Sequence, residues 1–298
     1  MDTLEALTAQ LATTQEIQSI VRVMKSLSAV SIHQYENAVD ALTDYRETVE
    51  KGLHVVLTHF VAERGRLPQQ LSRAPSGRSG LLVIGSDRGL CGRFNETIAG
   101  FARGRLDATD DTPAPVLGVV GLRTAARLQT SGHDPDRLFS LPGSVGGLVD
   151  LAQKIVIELD DWQSRHNVDT IHVCHNRRGA RSTATPFATQ LLPIPQAELT
   201  RLADAAWPSR RLPTFSMAPE ALLSWLVKQH LFLGVYEALA QSMTSEHAAR
   251  LAAMQAADRN IDERRQEIEA SYRHKRQESI TRELLDIVAG FEAAGPQG

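Results

Sequence analysis

The placement of prolines and glycines constrains the fold of this chain more than any other feature of its sequence. A proline inside a helix costs about 3 kcal/mol and a glycine about 1 kcal/mol, so both mark where long helices cannot run. Twelve of the 13 prolines lie between Pro68 and Pro219. No proline or glycine precedes Gly52, and after Pro219 the only breaker before Gly290 is Gly234. The pattern predicts a helix at each end of the chain and a compact middle.

The two terminal segments are long enough to need a partner. Residues Thr3 to Thr58 are predicted to form one helix of roughly 80 Å, and Glu220 to Glu292 one of roughly 105 Å. Neither length fits within a compact domain. Because an isolated amphipathic helix buries nothing, we expect the two ends to pair as an antiparallel coiled coil. The predicted N-terminal stripe, with its steps of three and four residues, consists of Leu4, Leu7, Leu11, Ile17, Val21, Met24, Leu27, Ala38, Leu42, Tyr45 and Val49.

The expected seam of the C-terminal helix is only half apolar. A self-sufficient leucine zipper would be apolar at both sets of seam positions. We therefore expect a rod that also presents charge and polarity to surrounding surfaces. The alternative is a solvated helix whose charges, between Arg259 and Arg276, pair at i,i+4 spacing. The apolar seam positions are Met254, Ile261 and Ile268, and the polar ones are Asp258, Arg265 and Tyr272.

The middle of the chain alternates short apolar runs with helical patterns. This alternation predicts an α/β fold, with a Rossmann-like central domain whose parallel-rich sheet is covered by helices on both faces. The predicted domains are an N-terminal shaft helix over 1–60, an α/β domain over 68–215, and a C-terminal shaft helix over 219–292 that pairs with 1–60. The expected strands are 80–85, 116–120, 169–174 and 187–192, and the expected helices are 94–105, 123–130 and 147–165.

Composition excludes several classes of protein. With 298 residues, of which 42% are hydrophobic and 22% charged, the chain is typical of globular proteins. Its 32 basic residues face 35 acidic ones, giving a formal charge of -3, whereas binding nucleic acid needs a surplus of lysine and arginine. No apolar run approaches the roughly 18 residues of a membrane span, and the acidic N-terminus is unlike a signal peptide. We expect a soluble protein without a direct membrane span.

Several residues in the middle domain resemble parts of catalytic or ligand-binding sites. Cys91 lies between a predicted strand and a helix, where a nucleophile would sit, but no complete Gly-x-Ser/Cys-x-Gly frame surrounds it. We interpret it as a small buried thiol, and a pairing with His172 or His175 stays open. The glycines of 143–147 lack the spacing of a phosphate-binding loop. Cys91 and Cys174 lack zinc or disulfide spacing, so we expect a reducing compartment and no catalytic residue, metal or cofactor.

Four blocks of sequence resemble the gamma subunits of F-type ATP synthases. They occur in the family's order, span nearly the whole chain, and fall on a predicted helix, a turn after the first strand, and two stretches of the C-terminal helix. The blocks are Gln18, Ile20, Arg22, Met24, Lys25 and Ala29; SDRGLCGRFN at 86–95; SEHAAR at 245–250 with Met254 and Asn260; and RQESITRELLDIV at 276–288.

This resemblance implies a rotor in the central stalk of a rotary ATP synthase. Its paired terminal helices would enter the axis of a hexamer of alpha and beta subunits, with the α/β domain near the membrane ring. The implied partners are the alpha and beta subunits of F1, an epsilon-type subunit and the membrane c-ring, with no nucleic acid. The nucleotide sites lie on the partners, so this chain would be non-catalytic. The implied location is the cytoplasmic face of the inner (plasma) membrane.

The resemblance also implies two sets of functional residues. One set would contact the stator, where an arginine's planar fork can pair with carboxylates that move; the alternative for each is a surface charge that contributes little. The other set is the signature turn after the first strand. The expected stator contacts are Met24, Lys25, Arg250, Arg276, Gln277, Thr281 and Glu283. The signature turn comprises Ser86, Asp87, Arg88, Gly89, Gly92 and Asn95.

The chain departs from this resemblance in two places. From residue 30 to 45 it has no lysine or arginine, where the family has several basic residues, and Arg93 stands where a second glycine is expected after Gly92. A divergent synthase, for example one with a different coupling ion, is a hypothesis that these departures permit. Two alternative hypotheses for the function remain. One is a coiled-coil scaffold or adaptor with an α/β partner-binding module, and the other is an α/β enzyme that uses Cys91.

Overall fold

A computed structural model of the chain describes residues 3–66, 68, 71, 77–108, 114–179, 183–207, 209 and 213–293. The strands within these residues are β1 (Arg78–Ile84), β2 (Val116–Val120), β3 (Arg137–Phe139), β4 (Val168–Arg177) and β5 (Thr185–Leu192). The α-helices within them are α1 (Leu4–Asp40), α2 (Thr43–Arg64), α3 (Phe94–Asp107), α4 (Leu122–Thr130), α5 (Leu148–His166), α6 (Gln196–Ala203) and α7 (Pro219–Ala293).

The strands of the described residues form one sheet in the order β3-β2-β1-β4-β5. β1 pairs in parallel with β2 and β4, and β2 pairs in parallel with β3, while β5 runs antiparallel to β4. Successive residues of β1 point to opposite faces: Leu82 and Ile84 join one hydrophobic cluster, and Leu81 and Val83 join another. A central parallel strand buried on both faces needs such a continuous apolar run.

Helices cover both faces of the sheet, as the sequence predicts. On one face, Ile98 of α3 and Leu128 of α4 are fully buried. On the other, Ile155 and Trp162 of α5 pack in one cluster with Leu239 of α7. The prediction of an α/β fold with long terminal helices is therefore confirmed. All four predicted strands are present; β3 and α6, of three and eight residues, were not predicted.

The single N-terminal helix predicted from Thr3 to Thr58 is wrong, because α1 ends at Asp40 and α2 begins at Thr43. The break has no proline or glycine. Leu42 there has φ -89° and ψ -1°, and its N–H donates to the carbonyl of Val39, three residues back, at 3.1 Å. Its side chain packs against two hydrophobic clusters, one at the sheet and one between α2, α6 and α7. Tertiary packing at Leu42 therefore interrupts a locally favourable helix.

The chain divides into two compact units, one of Met1–Leu27 with Leu251–Gly298 and one of Ser28–Arg250. In the first unit the two chain ends contact each other in antiparallel register. Gln18 Nε2 donates to Asp262 Oδ1 at 2.5 Å, and Lys25 Nζ donates to Asp258 Oδ2 at 2.6 Å. The apolar residues buried in this unit are Leu7, Val21, Met254 and Ile268.

The buried face of α1 differs from the predicted stripe. Ile17 and Leu27, predicted to be in the seam, are 48% and 62% exposed, whereas Gln18 and Ser28 are buried. Burial of Gln18 is possible because its amide donates to two carboxylates, those of Asp258 and Asp262. In this part of α1 the polar Gln18 therefore faces the partner helix and Val21 is buried, while Ile17 and Leu27 are exposed. No helix among the described residues has both the length and the apolar character to cross a bilayer.

Candidate functional site

The signature turn begins where β1 ends, and Asn95 is its centre. Asn95 Oδ1 accepts hydrogen bonds from the backbone N–H of Ser86 at 3.0 Å and from Thr124 Oγ1 at 2.7 Å. Asn95 Nδ2 donates to Ser86 Oγ at 2.8 Å. Ser86, Asn95 and Thr124 are all buried. One amide side chain therefore joins the end of β1 to the first turns of α3 and α4.

Asp87 connects the same turn to two further segments. Its Oδ1 accepts from the backbone N–H of Leu122 and its Oδ2 from that of Leu141, both at 2.8 Å. Leu122 is the first residue of α4, whose N–H groups have no partner inside the helix and favour a negative charge. The carboxylate therefore replaces a local cap, which α4 lacks at Gly121.

Two glycines allow the backbone to pass through this site. Gly121 has φ +106°, and a Cβ there would lie 2.6 Å from the backbone nitrogen of Ser86. Gly92 has φ +57°, in the left-handed region that glycine tolerates. Leu90 also has a positive φ, of 62°, which is uncommon for a bulky residue. Its side chain is 62% exposed, so the turn displays an apolar residue at its tip.

A buried ion pair on α7 lies against this turn. Arg250 Nη2 donates to Glu246 Oε1 and, at 3.4 Å, to the carbonyl of Gly89. The Glu246 and Arg250 side chains are only 4% and 8% exposed. Glu246 Oε2 is buried and has no hydrogen-bond partner among the described residues. Arg250 thus fixes the signature turn to α7, with one carboxylate oxygen left unsatisfied.

The groups around the ion pair resist ionisation. Burial raises the pKa of Glu246, and the charge of Arg250 opposes that rise. Burial, with the charge of Arg250 added, lowers the pKa of His247 to about 4. The His247 ring stacks on Tyr35 with ring centroids 5.6 Å apart, and burial followed by the Glu246 charge raises the pKa of that phenol. Desolvation therefore dominates this cluster.

Cys91 has the environment of a structural thiol. It is 2% exposed, and burial, followed by the charge of Glu246, raises its pKa. A nucleophilic cysteine needs the opposite shift. Within the described residues its hydrogen bonds are with Ser86, Arg88 and Asn95. No group of three or more His, Cys, Asp or Glu side chains among those residues is placed to hold a metal ion.

The structure separates the expected stator contacts into three environments. Lys25 is bonded to Asp258, and Met24, beside it, is half-buried and has a partner. Arg250 is buried against the signature turn. The remaining four are exposed on the last part of α7, where Ser279 donates to Glu283 at 3.4 Å. Those four are Arg276, Gln277, Thr281 and Glu283.

The sequence does not predict Glu246 or Tyr35 of the buried cluster as site residues. The i,i+4 spacing of Glu246 and Arg250 is a signal for a helical ion pair, but it carries no information on burial. Tyr35 had no signal of its own, because its contact with His247 joins residues far apart in the chain.

Comparison with known proteins decides the family. The model of the ATP synthase family matches residues 3–294. The chain is 29% identical to the ATP synthase gamma chain of Granulibacter bethesdensis, covering 98% of this chain and 100% of that one. The chain belongs to the ATP synthase gamma-chain family. A second gamma chain, from Bdellovibrio bacteriovorus, is 28% identical over 98% of this chain and 99% of its own length.

Solved structures share the fold of this gamma-chain family member. The rotor of the Euglena gracilis mitochondrial ATP synthase aligns with a TM-score of 0.62 at 17% identity, covering 93% of this chain and 98% of that one. A chain of the Tetrahymena thermophila central stalk and c-ring aligns with a TM-score of 0.55 at 20% identity, over 80% of this chain and 99% of its own. At these identities the likeness concerns the fold.

Proposed function

We propose that this chain is the central-stalk rotor of a rotary F-type ATP synthase. It couples ion flow through the membrane ring to conformational change at catalytic sites on partner subunits. The observation that carries the proposal is the match to ATP synthase gamma chains over 98% of this chain and 100% of a relative. A match of that extent includes the signature turn and both terminal helices.

The proposed partners are the alpha and beta subunits of F1, an epsilon-type subunit and the membrane c-ring. The chain itself is non-catalytic and lies at the cytoplasmic face of the inner (plasma) membrane as a peripheral part of F1. The raised pKa of Cys91 supports the non-catalytic assignment, since a thiol kept protonated is a poor nucleophile.

The exposed apolar side chains of the two terminal helices support a rotor inside a close-fitting stator. Large apolar side chains exposed in series commonly mark an interaction surface. Each of those on α1 and on the end of α7 is about half exposed or more. They are Ile17, Ile20, Val23, Leu27 and Val30 on α1, and Ile280, Leu284, Leu285, Ile287 and Val288 on α7.

Rotation of such a shaft would bring unequal faces past each catalytic subunit in turn. A partner shifts between conformations only if it contacts the shaft differently in each. The faces of α1 differ in this way, because Ile17 and Leu27 are exposed while Gln18 and Lys25 bond to the partner helix. This asymmetry supports a role in setting the order of conformations.

The proposal is tested by purification of the complex and by assay of the isolated chain. A tagged chain purified from its source membranes should bring alpha- and beta-type subunits with it in fixed proportion. The isolated chain should have no ATPase activity. Recovery of the chain alone, or with partners unrelated to a rotary ATPase, would contradict the proposal that the chain is a rotor. It would favour the alternative hypothesis of a coiled-coil scaffold.

The proposed stator contacts need a test of their own. We expect Gln277→Ala with Thr281→Ala to lower ATP synthesis by the assembled complex more than its ATP hydrolysis, because weaker contacts reduce coupling. Gln129→Ala with Thr130→Ala, at exposed positions on α4, is the matched control. Equal activities of the double variant and the control would remove these two residues from the proposed contact set.

A further inference from the structure

Helices α3 and α4 lie side by side on one face of the sheet and leave a groove between them on the solvent side. Their inner faces share the cluster that contains Ile98 and Leu128. The groove has a volume of about 470 Å³. Gly100 forms part of its floor, and a Cβ there would have no atom within 4 Å. We call this space the basic groove, for the side chains that line it.

The charge of the basic groove is one-sided. Arg93 and Arg103 reach it from the α3 side and Arg127 from α4, and Glu96 is the only carboxylate in the lining among the described residues. Glu96 already pairs with Arg93 at 3.2 Å. Among the described residues, Arg103 and Arg127 have neither an ion pair nor a side-chain hydrogen bond. Two exposed guanidinium groups therefore face one groove without an ion-pair partner among the described residues.

Local helix stability does not explain Arg93. It occupies the N-cap of α3, where no side-chain cap is formed and where the helix dipole disfavours a positive charge. Ser, Thr, Asp and Asn stabilise that position, each by accepting a hydrogen bond that arginine cannot accept. An arginine that weakens its own helix adds positive charge to the basic groove.

We propose that the basic groove is a docking site for a carboxylate-rich segment of another protein, held by Arg103 and Arg127. The proposal goes beyond the rotor function, which uses the terminal helices. Guanidinium groups present planar pairs of donors that match carboxylates. The two arginines lie on different helices along an open groove, so an extended or helical segment can meet both with acids spaced along its length.

A small-anion site would look different. Such sites converge several donors, often backbone N–H groups, on one enclosed point. In the basic groove the donors belong to long side chains on two helices, and the floor at Gly100 is open. The form of the groove therefore favours a chain bearing several carboxylates over one phosphate.

The first test uses the whole isolated chain and a defined probe. The probe is a fluorescent, alanine-based helical peptide with glutamates at i,i+4 spacing, and its glutamine counterpart is the reference. We expect the glutamate peptide to bind and to weaken as salt rises. Arg103→Gln with Arg127→Gln should weaken binding about fivefold, the effect of two partly exposed ion pairs.

The matched control changes net charge equally at a distance from the groove. Arg165→Gln with Arg201→Gln removes two exposed arginines from α5 and α6 and should leave peptide binding unchanged. Equal loss in both double variants would mean unspecific attraction and would overturn the proposal. So would equal binding of the two peptides, or displacement of the glutamate peptide by inorganic phosphate at low concentration.

A second test identifies the partner in the assembled complex. Gly100→Cys can carry a benzophenone selectively, because Cys91 and Cys174 are buried and burial raises the pKa of Cys174 to about 12. We expect cross-links to a peptide with at least two acidic residues, lost in the Arg103/Arg127 variant. Ser164→Cys, exposed on α5, is the control site. Cross-links to lipid or to a segment without carboxylates would contradict the proposal.

The two tests separate this proposal from the rotor function. The peptide measurement needs no complex, so it can succeed if the chain proves not to be a rotor. Conversely, a complex that couples normally with the Arg103/Arg127 variant and shows no cross-link at residue 100 would retain the rotor and remove the docking site.

Discussion

Two polar clusters on α7 use the same chemistry in different surroundings. In the unit of Ser28–Arg250, Glu246 pairs with Arg250, and their side chains are 4% and 8% exposed. In the unit of the paired chain ends, Asp258 pairs with Lys25, and their side chains are 15% and 35% exposed. The sequence gives no sign of this difference, because all four are ordinary helix-surface residue types.

The pKa shifts of the two acids run in opposite directions. Burial raises the pKa of Glu246 and outweighs the nearby Arg250. The hydrogen bond from Lys25 is the largest influence on Asp258 and lowers its pKa. Desolvation therefore dominates in the α/β unit and pairing dominates in the paired helices. The buried pair is fixed in place, while the partly buried pair of Lys25 and Asp258 can exchange partners at lower cost.

Removal of one charge from the buried pair should have the largest effect. Arg250→Met leaves the Glu246 carboxylate buried without a counter-charge and frees the carbonyl of Gly89. Breaking a buried pair in this way costs about 3–5 kcal/mol. We expect a loss of that size in the free energy of unfolding, measured by urea denaturation of the isolated chain at neutral pH.

The matching control removes both charges together. Glu246→Leu with Arg250→Met replaces the pair by apolar side chains of similar size, so most of the lost stability should return. If the double variant is as unstable as Arg250→Met alone, Arg250 stabilises the fold through its packing or its hydrogen bond to Gly89. The difference in stability between the two clusters would then not arise from the burial of charge.

A second prediction concerns acid. Burial lowers the pKa of His175 from 6.5 to about 4, so its contribution to stability is complete above pH 6.5 and is lost as the pH falls towards 4. The loss amounts to about 3 kcal/mol. Asp258, whose pKa is lowered, loses its contribution only below its ordinary value of 3.8. Between pH 6.5 and 4 the α/β unit should weaken while the paired helices do not.

Hydrogen exchange read peptide by peptide can follow both units at once. His175→Leu should remove most of the acid loss in β4, and His166→Leu, at an exposed position, should not. His247, with a pKa of about 4, accounts for part of the remainder. Protonation of Glu246 acts in the opposite sense, since its pKa is raised. Weakening of residues 4–27 over the same interval would contradict the prediction.

A third, smaller effect is expected at the signature turn. Asn95→Ala leaves the N–H of Ser86 and the hydroxyl of Thr124 without their shared acceptor. An unsatisfied buried donor costs about 1–3 kcal/mol, and we expect a loss within that interval by thermal unfolding. Glu96→Ala, exposed on the same helix, should change stability by less than about 0.5 kcal/mol. Similar values for the two variants would exclude Asn95 as the centre of the turn.

Much of the fold could be predicted because it follows from local signals. The paucity of helix breakers at both ends predicted the long helices, and apolar runs predicted four strands. β3 was missed because three residues cannot show an alternation. The break at Leu42 was missed because it arises from packing against two clusters, and no local residue preference marks it.

The candidate site could be predicted only where local sequence signals mark it. The signature turn was found by its residues, but the bonds of Asp87 to Leu122 and Leu141 join segments distant in the chain. In α1 the sequence predicts that Ile17 is buried in the seam, whereas its neighbour Gln18 is the buried residue. The prediction is wrong because hydrophobicity alone assigns apolar residues to the buried face. Gln18 is buried there only because carboxylates on α7 bond to it.

The smallest effect should come from the pair of Lys25 and Asp258, which is more exposed than the pair of Glu246 and Arg250. In Lys25→Gln, Asp258 keeps the amide of Gln18 at 3.4 Å and the guanidinium of Arg22 at 3.6 Å, so the carboxylate stays partnered. Exposed pairs contribute little and are screened by salt. We expect hydrogen exchange in residues 14–28 to accelerate less than about fivefold at low salt, and not at all in 1 M salt. An effect that persists in high salt, or that is as large as that of Arg250→Met, would contradict this prediction. The pair of Lys25 and Asp258 would then be as tightly fixed as the buried pair of Glu246 and Arg250.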